Sequence, residues 1–209
     1  MKNRVVLVTG GAGSIGSKLC KSLLALNANV ICFDDFSSGS LDAIKPIRSH
    51  PNFKLIGGDI RNIEKCRKVV KEVDYVFHLA GLDYHSSEVS DECLVNEVNV
   101  IGFLNMLTVV NELNIKGIFY ATSCSQCSNA IELPKIEELF YGKPLSTYLI
   151  SKYTNELHAN LFREKYDLYI KGVEFKSVFD KTKTADLSNI VQLNIDALQG
   201  LLREEYKSA

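Results

Sequence analysis

Short β-branched runs alternate with longer stretches of helical period along most of the chain. The runs that predict β-strands are residues 4–9, 29–34, 53–58, 75–80, 117–122 and 168–174. The stretches that predict helices are residues 14–26, 62–71, 89–113 and 146–165. This alternation is typical of right-handed βαβ units. We therefore expect an α/β fold, a doubly wound parallel sheet with helices on both faces.

The C-terminal part of the chain departs from this alternation. After residue 181 only one helix is predicted, at residues 186–205, where apolar side chains recur at helical spacing. Such a stripe indicates a helix that covers its own sheet, and a subunit contact is the alternative. The sequence thus predicts one domain over residues 1–180 and a C-terminal helix, within residues 181–209, packed on that domain.

Composition and charge argue against several classes of partner. The 209 residues carry 24 Lys and Arg against 25 Asp and Glu, a formal net charge of -1. Because the sequence offers no basic patch, we expect neither a nucleic-acid partner nor an acidic membrane surface. No apolar run approaches the roughly 20 residues of a membrane helix, and the N-terminus turns directly into a strand. A cytoplasmic protein is therefore expected.

Six cysteines, at positions 20, 32, 66, 93, 124 and 127, are scattered rather than spaced as a disulfide framework. This distribution suits reduced thiols, so no disulfide is expected. Cys124 and Cys127 have two residues between them, but a structural zinc site needs a second ligand pair that the sequence lacks. We interpret the pair as part of a loop and predict no metal site. Redox or metal chemistry at this pair is the alternative.

A glycine-rich turn joins the first predicted strand to the first predicted helix. Gly10, Gly13 and Gly16 recur in it, with Ser14 and Ile15 between the last two. A turn this tight needs a residue that accepts positive φ, and a diphosphate needs main chain without side chains in its way. Backbone N–H groups and the positive end of the helix would then meet the phosphates. The context predicts a Rossmann-type nucleotide site, and an ordinary tight turn is the alternative.

Acidic residues follow the second and third predicted strands. Asp34 and Asp35 lie about 20 residues beyond the glycine turn, where a carboxylate can accept both hydroxyls of the adenosine ribose. We choose Asp34 for that contact. Because a carboxylate repels a 2′-phosphate and no Arg stands beside it, NAD is preferred over NADP. Asp59 and Ile60 follow the third strand, where an acidic residue can accept from the adenine amino group; capping of the next helix is the alternative for Asp59.

A phenol and an ammonium group share one face of the predicted helix 146–165, whose first turn Ser146 or Thr147 can cap. Tyr148 and Lys152 are four residues apart on this helix. A free tyrosine, with a pKa near ~10, is a poor base at neutral pH, but a nearby ammonium and a positive nicotinamide ring both favour the phenolate. Tyr148 could then take a hydroxyl proton during oxidation of a substrate. By itself the spacing is also common on helix surfaces.

Five short runs accompany this pair. They read Thr-Gly-Gly-Ala-Gly-Ser-Ile-Gly-Ser at 9–17, Asp-Asp-Phe-Ser-Ser-Gly at 34–39, Gly-Asp-Ile-Arg at 58–61, His-Leu-Ala-Gly at 78–81 and Asn-Val-Ile-Gly at 99–102. In this order and spacing, the runs and the pair resemble the extended short-chain dehydrogenase/reductases. Within them, they are most similar to the NAD-dependent epimerase/dehydratase family of UDP-glucose 4-epimerase-like proteins. The resemblance covers residues 4–178.

The resemblance implies roles for individual residues. Ser123, Tyr148 and Lys152 would form the catalytic group, with Ser123 holding the reacting oxygen of the sugar. Asn99 would support the backbone of the active site. The residues that would bind the cofactor are Gly10, Gly13, Ser14, Ile15, Gly16, Asp34, Asp35, Asp59, Ile60, Leu79, Ala80, Gly81, Asn99, Tyr148 and Lys152. The implied reaction is reversible oxidation at C4 of a nucleotide-linked sugar, a UDP-hexose by preference. The resemblance also implies a homodimer formed through the helices at 89–113 and 146–165.

The sequence departs from the family at several positions. Cys127 and Ser128 replace a Tyr-Gly pair, Asp83 stands where related epimerases often have a lysine, and Ser177 replaces an asparagine that would touch substrate. The C-terminal region that clamps the nucleotide diphosphate in this family is largely missing. Fewer distal contacts would then orient the reacting carbon.

Two functions therefore stay open. The favoured one is an NAD-dependent nucleotide-sugar epimerase. A 4,6-dehydratase is less favoured, because Cys124 and Ser125 stand where dehydratases carry acidic residues. The alternative is a catalytically impaired, NAD-binding regulatory or scaffolding subunit.

Overall fold

Six parallel strands form one sheet in the computed structural model, which describes residues 1–82, 91–122 and 146–174. The strands are Val5–Thr9 (β1), Asn29–Asp34 (β2), Phe53–Gly57 (β3), Tyr75–His78 (β4), Gly117–Thr122 (β5) and Ile170–Glu174 (β6). Their order is β3-β2-β1-β4-β5-β6, and every neighbouring pair is parallel. Because the order reverses beside β1, a crevice opens between the carboxyl ends of β1 and β4. The doubly wound, Rossmann-type fold class is confirmed.

Helices connect the strands on both faces of the sheet. They are Gly16–Ala25 (α1), Leu41–Ile44 (α2), Ile63–Val70 (α3), Glu92–Asn96 (α4), Gly102–Glu112 (α5) and Thr147–Tyr166 (α6). A 3-10 turn, Lys45–Ile47, continues α2, and a π-helical turn, Glu97–Ile101, joins α4 to α5. The strands and the four long helical stretches lie close to their predicted bounds. The sequence pattern does not predict α2, because four residues are too few to show a helical period.

The strand β1 shows how one run of apolar residues serves two cores. Successive side chains of a strand point to opposite faces of the sheet. Leu7 therefore packs with the side chains of α3, α5 and α6, among them Phe103 and Met106. Val6 and Val8 face the other way and pack against α1 and α2. All three β1 residues are fully buried, so the carboxyl end of β1 is held rigidly from both sides.

One helical stretch in the described part of the chain, Glu92–Glu112, is long and apolar enough to cross a membrane by length and composition. Its mean hydropathy is 1.6 over the tested window. However, Phe103, Met106 and Leu107 within it are buried in the sheet's own core. A buried core helix passes the same test, so this feature is weak support for a membrane span.

Several predictions from the sequence fall on residues that the structure does not describe. They are Asp83, Ser123, the Cys124 and Cys127 pair, Ser177 and the helix predicted at 186–205. The predicted division into residues 1–180 and 181–209 stays a prediction for the same reason.

Candidate active site

The glycine turn lies at the carboxyl end of β1 and contacts the segment that follows β4. Gly10 has a φ of 65°, and its N–H donates to the Phe33 carbonyl at 2.9 Å. A Cβ on Gly10 would lie 2.7 Å from the Ala80 nitrogen, and a Cβ on Gly16 would lie 2.1 Å from the Gly10 oxygen. Both positions therefore require glycine. The turn also carries Gly13, whose N–H donates to Gly10 at 3.1 Å, and it leads through Ser14 and Ile15 into α1.

Asp34, at the end of β2, binds the glycine turn through its side chain. Its Oδ2 accepts from the Ala12 N–H at 2.8 Å, and its Oδ1 accepts from the Phe36 N–H at 2.9 Å. A carboxylate has about four acceptor positions, so Asp34 can accept hydrogen bonds beyond the two from these N–H groups. Asp35 is exposed, and its Oδ1 accepts from the N–H and hydroxyl of Ser37. Of the two carboxylates, only Asp34 faces the turn.

Asp59 lies just beyond β3 and is bound by a residue two positions along the chain. Its Oδ1 accepts from the Arg61 N–H at 2.8 Å, and its Oδ2 accepts from Arg61 Nε at 2.8 Å. Burial raises the pKa of Asp59, but the hydrogen bonds and charge of Arg61 outweigh burial and hold it below its usual value. The helix cap is Asn62, whose side chain accepts from the Lys65 N–H, so the capping role considered for Asp59 is wrong.

Thr9 and His78 fix the main chain where β1 and β4 end. The Thr9 hydroxyl lies 3.0 Å from His78 Nδ1 and accepts from the Ala80 N–H at 3.2 Å. The Leu79 N–H donates to the Thr9 carbonyl at 3.2 Å. Burial, and then the charge of Lys152, lower the pKa of His78 to about 3, so its ring is neutral at pH 7. This pair holds Leu79 and Ala80 beside the glycine turn.

Asn99, in the π-helical turn, connects the end of β4 to α6. Its Oδ1 accepts from the Leu82 N–H at 2.8 Å, and its Nδ2 donates to the Leu82 carbonyl at 3.0 Å and to Ser151 Oγ at 3.1 Å. Ser151 Oγ in turn donates to the Tyr148 carbonyl at 2.7 Å. Asn99 is buried, with 1% of its surface exposed. A π-helical turn often marks a functional position, because it re-aims side chains within a helix.

Tyr148 and Lys152 lie in the first turns of α6, which begins after the cap residue Ser146. The Ser146 hydroxyl oxygen accepts from the Leu149 N–H at 3.2 Å, which confirms the predicted cap. Lys152 Nζ lies 5.6 Å from the centre of the Tyr148 ring and donates to the Ala121 carbonyl, on β5, at 3.3 Å. The ammonium group therefore stands between the phenol and the carboxyl end of β5.

Gly81 brings this pair to the end of β4. A Cβ on Gly81 would lie 3.1 Å from Asn99 Oδ1 and 3.7 Å from Lys152 Nζ. The structure thus gathers Leu79, Ala80, Gly81 and Asn99 with the Tyr148 and Lys152 pair at one edge of the sheet. Ser123, the third predicted catalytic residue, follows the last described residue of β5 and lies outside the described residues.

Sequence reasoning assigned no role to four residues that shape this edge, namely Thr9, Arg61, His78 and Ser151. Thr9, Arg61 and His78 stand inside the short runs that carry the family resemblance. Thr9 and His78 bind each other across 69 residues, and Arg61 binds Asp59 and Glu97 through its side chain, so the runs alone do not predict these contacts. Ser151 lies between Tyr148 and Lys152, and a polar residue facing the sheet within that spacing is the signal that could have identified it.

The chain is similar to known proteins of one family. The model of the NAD dependent epimerase/dehydratase family matches residues 6–199. A curated relative, the putative UDP-glucose 4-epimerase of Methanocaldococcus jannaschii, is 26% identical over 196 residues, which cover 93% of this chain and 63% of that protein.

Solved structures of two enzymes are also similar to this chain in sequence and fold. UDP-N-acetylglucosamine 4-epimerase from Methanobrevibacter ruminantium M1, in complex with UDP-N-acetylmuramic acid, is 29% identical with a TM-score of 0.69, covering 83% of this chain and 55% of that one. dTDP-glucose 4,6-dehydratase from Bacillus anthracis str. Ames, in complex with NAD, is 26% identical with a TM-score of 0.65, covering 82% and 54%. The chain spans about half to two thirds of the length of these relatives. Because the family model matches most of its sequence, the chain belongs to the NAD dependent epimerase/dehydratase family.

Proposed function

We propose that this chain binds NAD across the β1 and β4 crevice and acts as a nucleotide-sugar 4-epimerase on a UDP-hexose. The observation that carries the proposal is the position of Lys152 Nζ, 5.6 Å from the Tyr148 ring and 3.3 Å from the Ala121 carbonyl. That position supports a proton-transfer role for the two residues, because doubly wound folds bind their ligands at the carboxyl edge of the sheet.

The adenosine side of the crevice fits NAD. Among the described residues, Asp34 accepts from two main-chain N–H groups, and a carboxylate can accept further bonds from the two hydroxyls of an adenosine ribose. Its negative charge would repel the 2′-phosphate of NADP. The glycine turn offers bare main chain at the first turn of α1, where a diphosphate can approach backbone N–H groups. NAD, which structures of family members contain, would supply the reversible hydride acceptance that the reaction requires.

The reaction side supplies the proton chemistry. The positive charge of Lys152 stabilises the phenolate of Tyr148, which can then remove the proton of the C4 hydroxyl as that carbon is oxidised. Tyr148 returns the proton when the 4-keto sugar is reduced from its other face, which inverts C4. Ser123, by family resemblance, would donate a hydrogen bond to the reacting oxygen.

The named relatives support the substrate class. Two of those described above carry names that specify 4-epimerisation of UDP-linked sugars, one of them as a putative UDP-glucose 4-epimerase. The less favoured dehydratase reading would begin with the same oxidation at C4. The nucleotide and the sugar of this chain's own substrate are proposals, because the chain spans only part of those proteins.

A homodimer is part of the same proposal. The helical stretch Glu92–Glu112 and α6 carry large exposed apolar side chains. Ile101, in the π-helical turn, is 48% exposed, and on α6 Leu157 is 45% and Leu161 53% exposed. A second copy of the chain would cover these side chains, and the family resemblance implies a dimer through the same helices. We expect the molecular mass measured by sedimentation equilibrium to be twice that of the chain.

The test combines NAD titration with conversion of UDP-glucose to UDP-galactose, followed by NMR of the sugar. Tyr148→Phe removes the phenol oxygen, and we expect turnover to fall by about 100-fold or more while NAD still binds. Tyr166→Phe is the control, because it removes a phenol from the other end of the same helix, where Lys165 Nζ also lies near the ring, at 4.9 Å.

Equal turnover of Tyr148→Phe and the wild type would remove Tyr148 from the mechanism. NAD binding without conversion of UDP-, GDP- or dTDP-hexoses would instead favour an NAD-binding regulatory or scaffolding subunit.

A further inference from the structure

We propose that Arg61 is a positioning residue that locks the Asp59 carboxylate and thereby makes the site select a purine with an amino group at C6 over one with a carbonyl there. The proposal rests on the NAD site proposed above. It goes beyond that site by assigning base selectivity to a residue that would not itself need to touch the cofactor.

Arg61 contacts both oxygens of the Asp59 carboxylate. The Arg61 N–H donates to Asp59 Oδ1 at 2.8 Å. The guanidinium places Nε at 2.8 Å and Nη2 at 2.7 Å from Oδ2. Both oxygens of the carboxylate are thus engaged, each by one hydrogen bond, and the Nη2 contact adds an ion pair to Oδ2; a carboxylate engaged in this way can still accept a further hydrogen bond. The guanidinium fork on Oδ2, together with the main-chain N–H on Oδ1, holds both oxygens and thereby restrains the plane of the carboxylate.

Arg61 and its neighbours are in turn held by contacts with the helical stretch Glu92–Glu112. Arg61 Nη1 lies 2.9 Å from Glu97 Oε2, in the π-helical turn. Asn105 Nδ2, on α5, donates to the carbonyls of Ile60 at 3.1 Å and Arg61 at 3.0 Å. The Ile60 side chain also packs closely on Gly102, where a Cβ would lie 2.4 Å from its Cδ1. The segment that follows β3 is therefore bound to the helical stretch Glu92–Glu112 by charge, amide and apolar contacts.

The restrained carboxylate of Asp59 determines which purine base can bind beside it. An adenine amino group is a donor and can satisfy a remaining acceptor position of Asp59, whereas a carbonyl at C6 would face the carboxylate as a second acceptor. A free carboxylate could rotate or take up a proton to relieve that conflict, whereas Arg61 restrains the Asp59 carboxylate through both of its oxygens. A site built to accept an N–H group rejects the analogue that lacks it.

The test compares the dissociation constants of NAD and nicotinamide hypoxanthine dinucleotide, which has a carbonyl in place of the amino group. Both are measured by calorimetric titration at pH 7 on one preparation, so loss of folded protein cancels in their ratio. We expect the wild type to prefer NAD by about tenfold or more, and Arg61→Met to reduce the preference to about threefold or less.

Arg67→Met is the matched control. Arg67 lies on the next helix, has the same 36% side-chain exposure as Arg61, and also binds two carboxylates, those of Glu64 and Glu112. Its variant is expected to keep the wild-type ratio. Arg61→Lys keeps the charge without the fork, so its ratio is expected to lie between those of Arg61→Met and the wild type.

Two results would overturn the inference while leaving the NAD site in place. One is a wild type that binds both dinucleotides equally well, and the other is an Arg61→Met ratio equal to that of the wild type. If the wild type binds neither dinucleotide, the proposed function falls and the inference falls with it.

Discussion

The two halves of the crevice are built in different ways. On the adenosine side, each carboxylate accepts from a residue two positions along the chain, as Asp34 does from the Phe36 N–H and Asp59 from Arg61, and Asp34 also accepts from the more distant Ala12 N–H. On the reaction side, the contacts join residues far apart in sequence, as in the pair of Thr9 with His78 and the pair of Asn99 with Ser151. The adenosine side therefore depends largely on contacts within short sequence motifs. The reaction side depends on the sheet topology, which brings distant residues together.

This difference explains which half tolerates change. Local contacts at the ends of β2 and β3 lie in partly exposed loops, where a lost hydrogen bond can be replaced by water. Contacts on the reaction side are buried, so a lost partner leaves a polar group without a substitute. We expect substitutions on the reaction side to cost more stability than those of similar size on the adenosine side. The glycine turn, which contacts both halves, should be the most sensitive position.

Gly16→Ala should have the largest effect on stability. Its Cβ would lie 2.1 Å from the Gly10 oxygen and 2.7 Å from the Gly11 Cα, so main chain rather than a flexible side chain must move. We expect the free energy of unfolding to fall by about 3 kcal/mol, together with a loss of NAD affinity. Urea unfolding followed by circular dichroism measures it.

Gly57→Ala is the control for that substitution. Gly57 ends β3, and a Cβ there would meet nothing within 4 Å. The change should stay within about 0.5 kcal/mol of the wild type. Equal unfolding midpoints for the two variants would show that the turn yields easily, and the close packing of the turn would then carry no weight in the comparison of the two halves.

The adenosine half could be predicted from the sequence to a large extent. A glycine at a strand-to-helix junction and an acidic residue at the end of the next strand carry their geometry in a few neighbouring residues, so Gly10, Gly16 and Asp34 were recognisable. Even there the side-chain partner was missed. The sequence could not show that Arg61 turns back onto Asp59, since an arginine at this position could equally extend into solvent.

The reaction half was predictable only as a set of residue types. Tyr148 and Lys152 were identified by helical spacing and by resemblance, but the Asn99 and Ser151 contact depends on how α6 packs beside the π-helical turn. No local pattern predicts a π-helical turn, because it inserts a residue into an otherwise regular helix. The helix α2 was missed for a simpler reason, since its Ser40 cap and Pro46 resemble ordinary loop residues.

His78 lies where the two halves meet and predicts a pH dependence of stability. Its pKa is about 3 in the folded chain, lowered by burial and then by Lys152, against 6.5 for an ordinary histidine. Between these values the unfolded chain binds a proton that the folded chain does not, so the free energy of unfolding falls as the pH falls. From pH 7 to pH 5 this loss should be about 2 kcal/mol.

The variant His78→Gln isolates that contribution. It cannot titrate in this range, so its stability should fall by about 2 kcal/mol less than that of the wild type between pH 7 and pH 5. Urea unfolding of both proteins at the two pH values gives the difference, and the contributions of other groups cancel in the subtraction. Parallel pH dependence of the two proteins would mean that the folded chain can protonate His78, and that the junction between the halves is open to water.

The smallest expected effect comes from a comparison of Ser151 and Thr154, two hydroxyl residues on α6. Only Ser151 also has a hydrogen-bond partner far away in sequence. Ser151 Oγ donates to the Tyr148 carbonyl at 2.7 Å, and Thr154 Oγ1 donates to the Ile150 carbonyl at 2.9 Å, both one turn back. Only Ser151 is fully buried and also accepts from Asn99. We expect Ser151→Ala to lower the free energy of unfolding by about 1 kcal/mol. Thr154→Ala should change it by a few tenths of that, since solvent can replace its bond. If urea unfolding gives the two variants the same stability, the Asn99 contact adds nothing, and the reaction half is held together by apolar packing rather than by its buried hydrogen bonds.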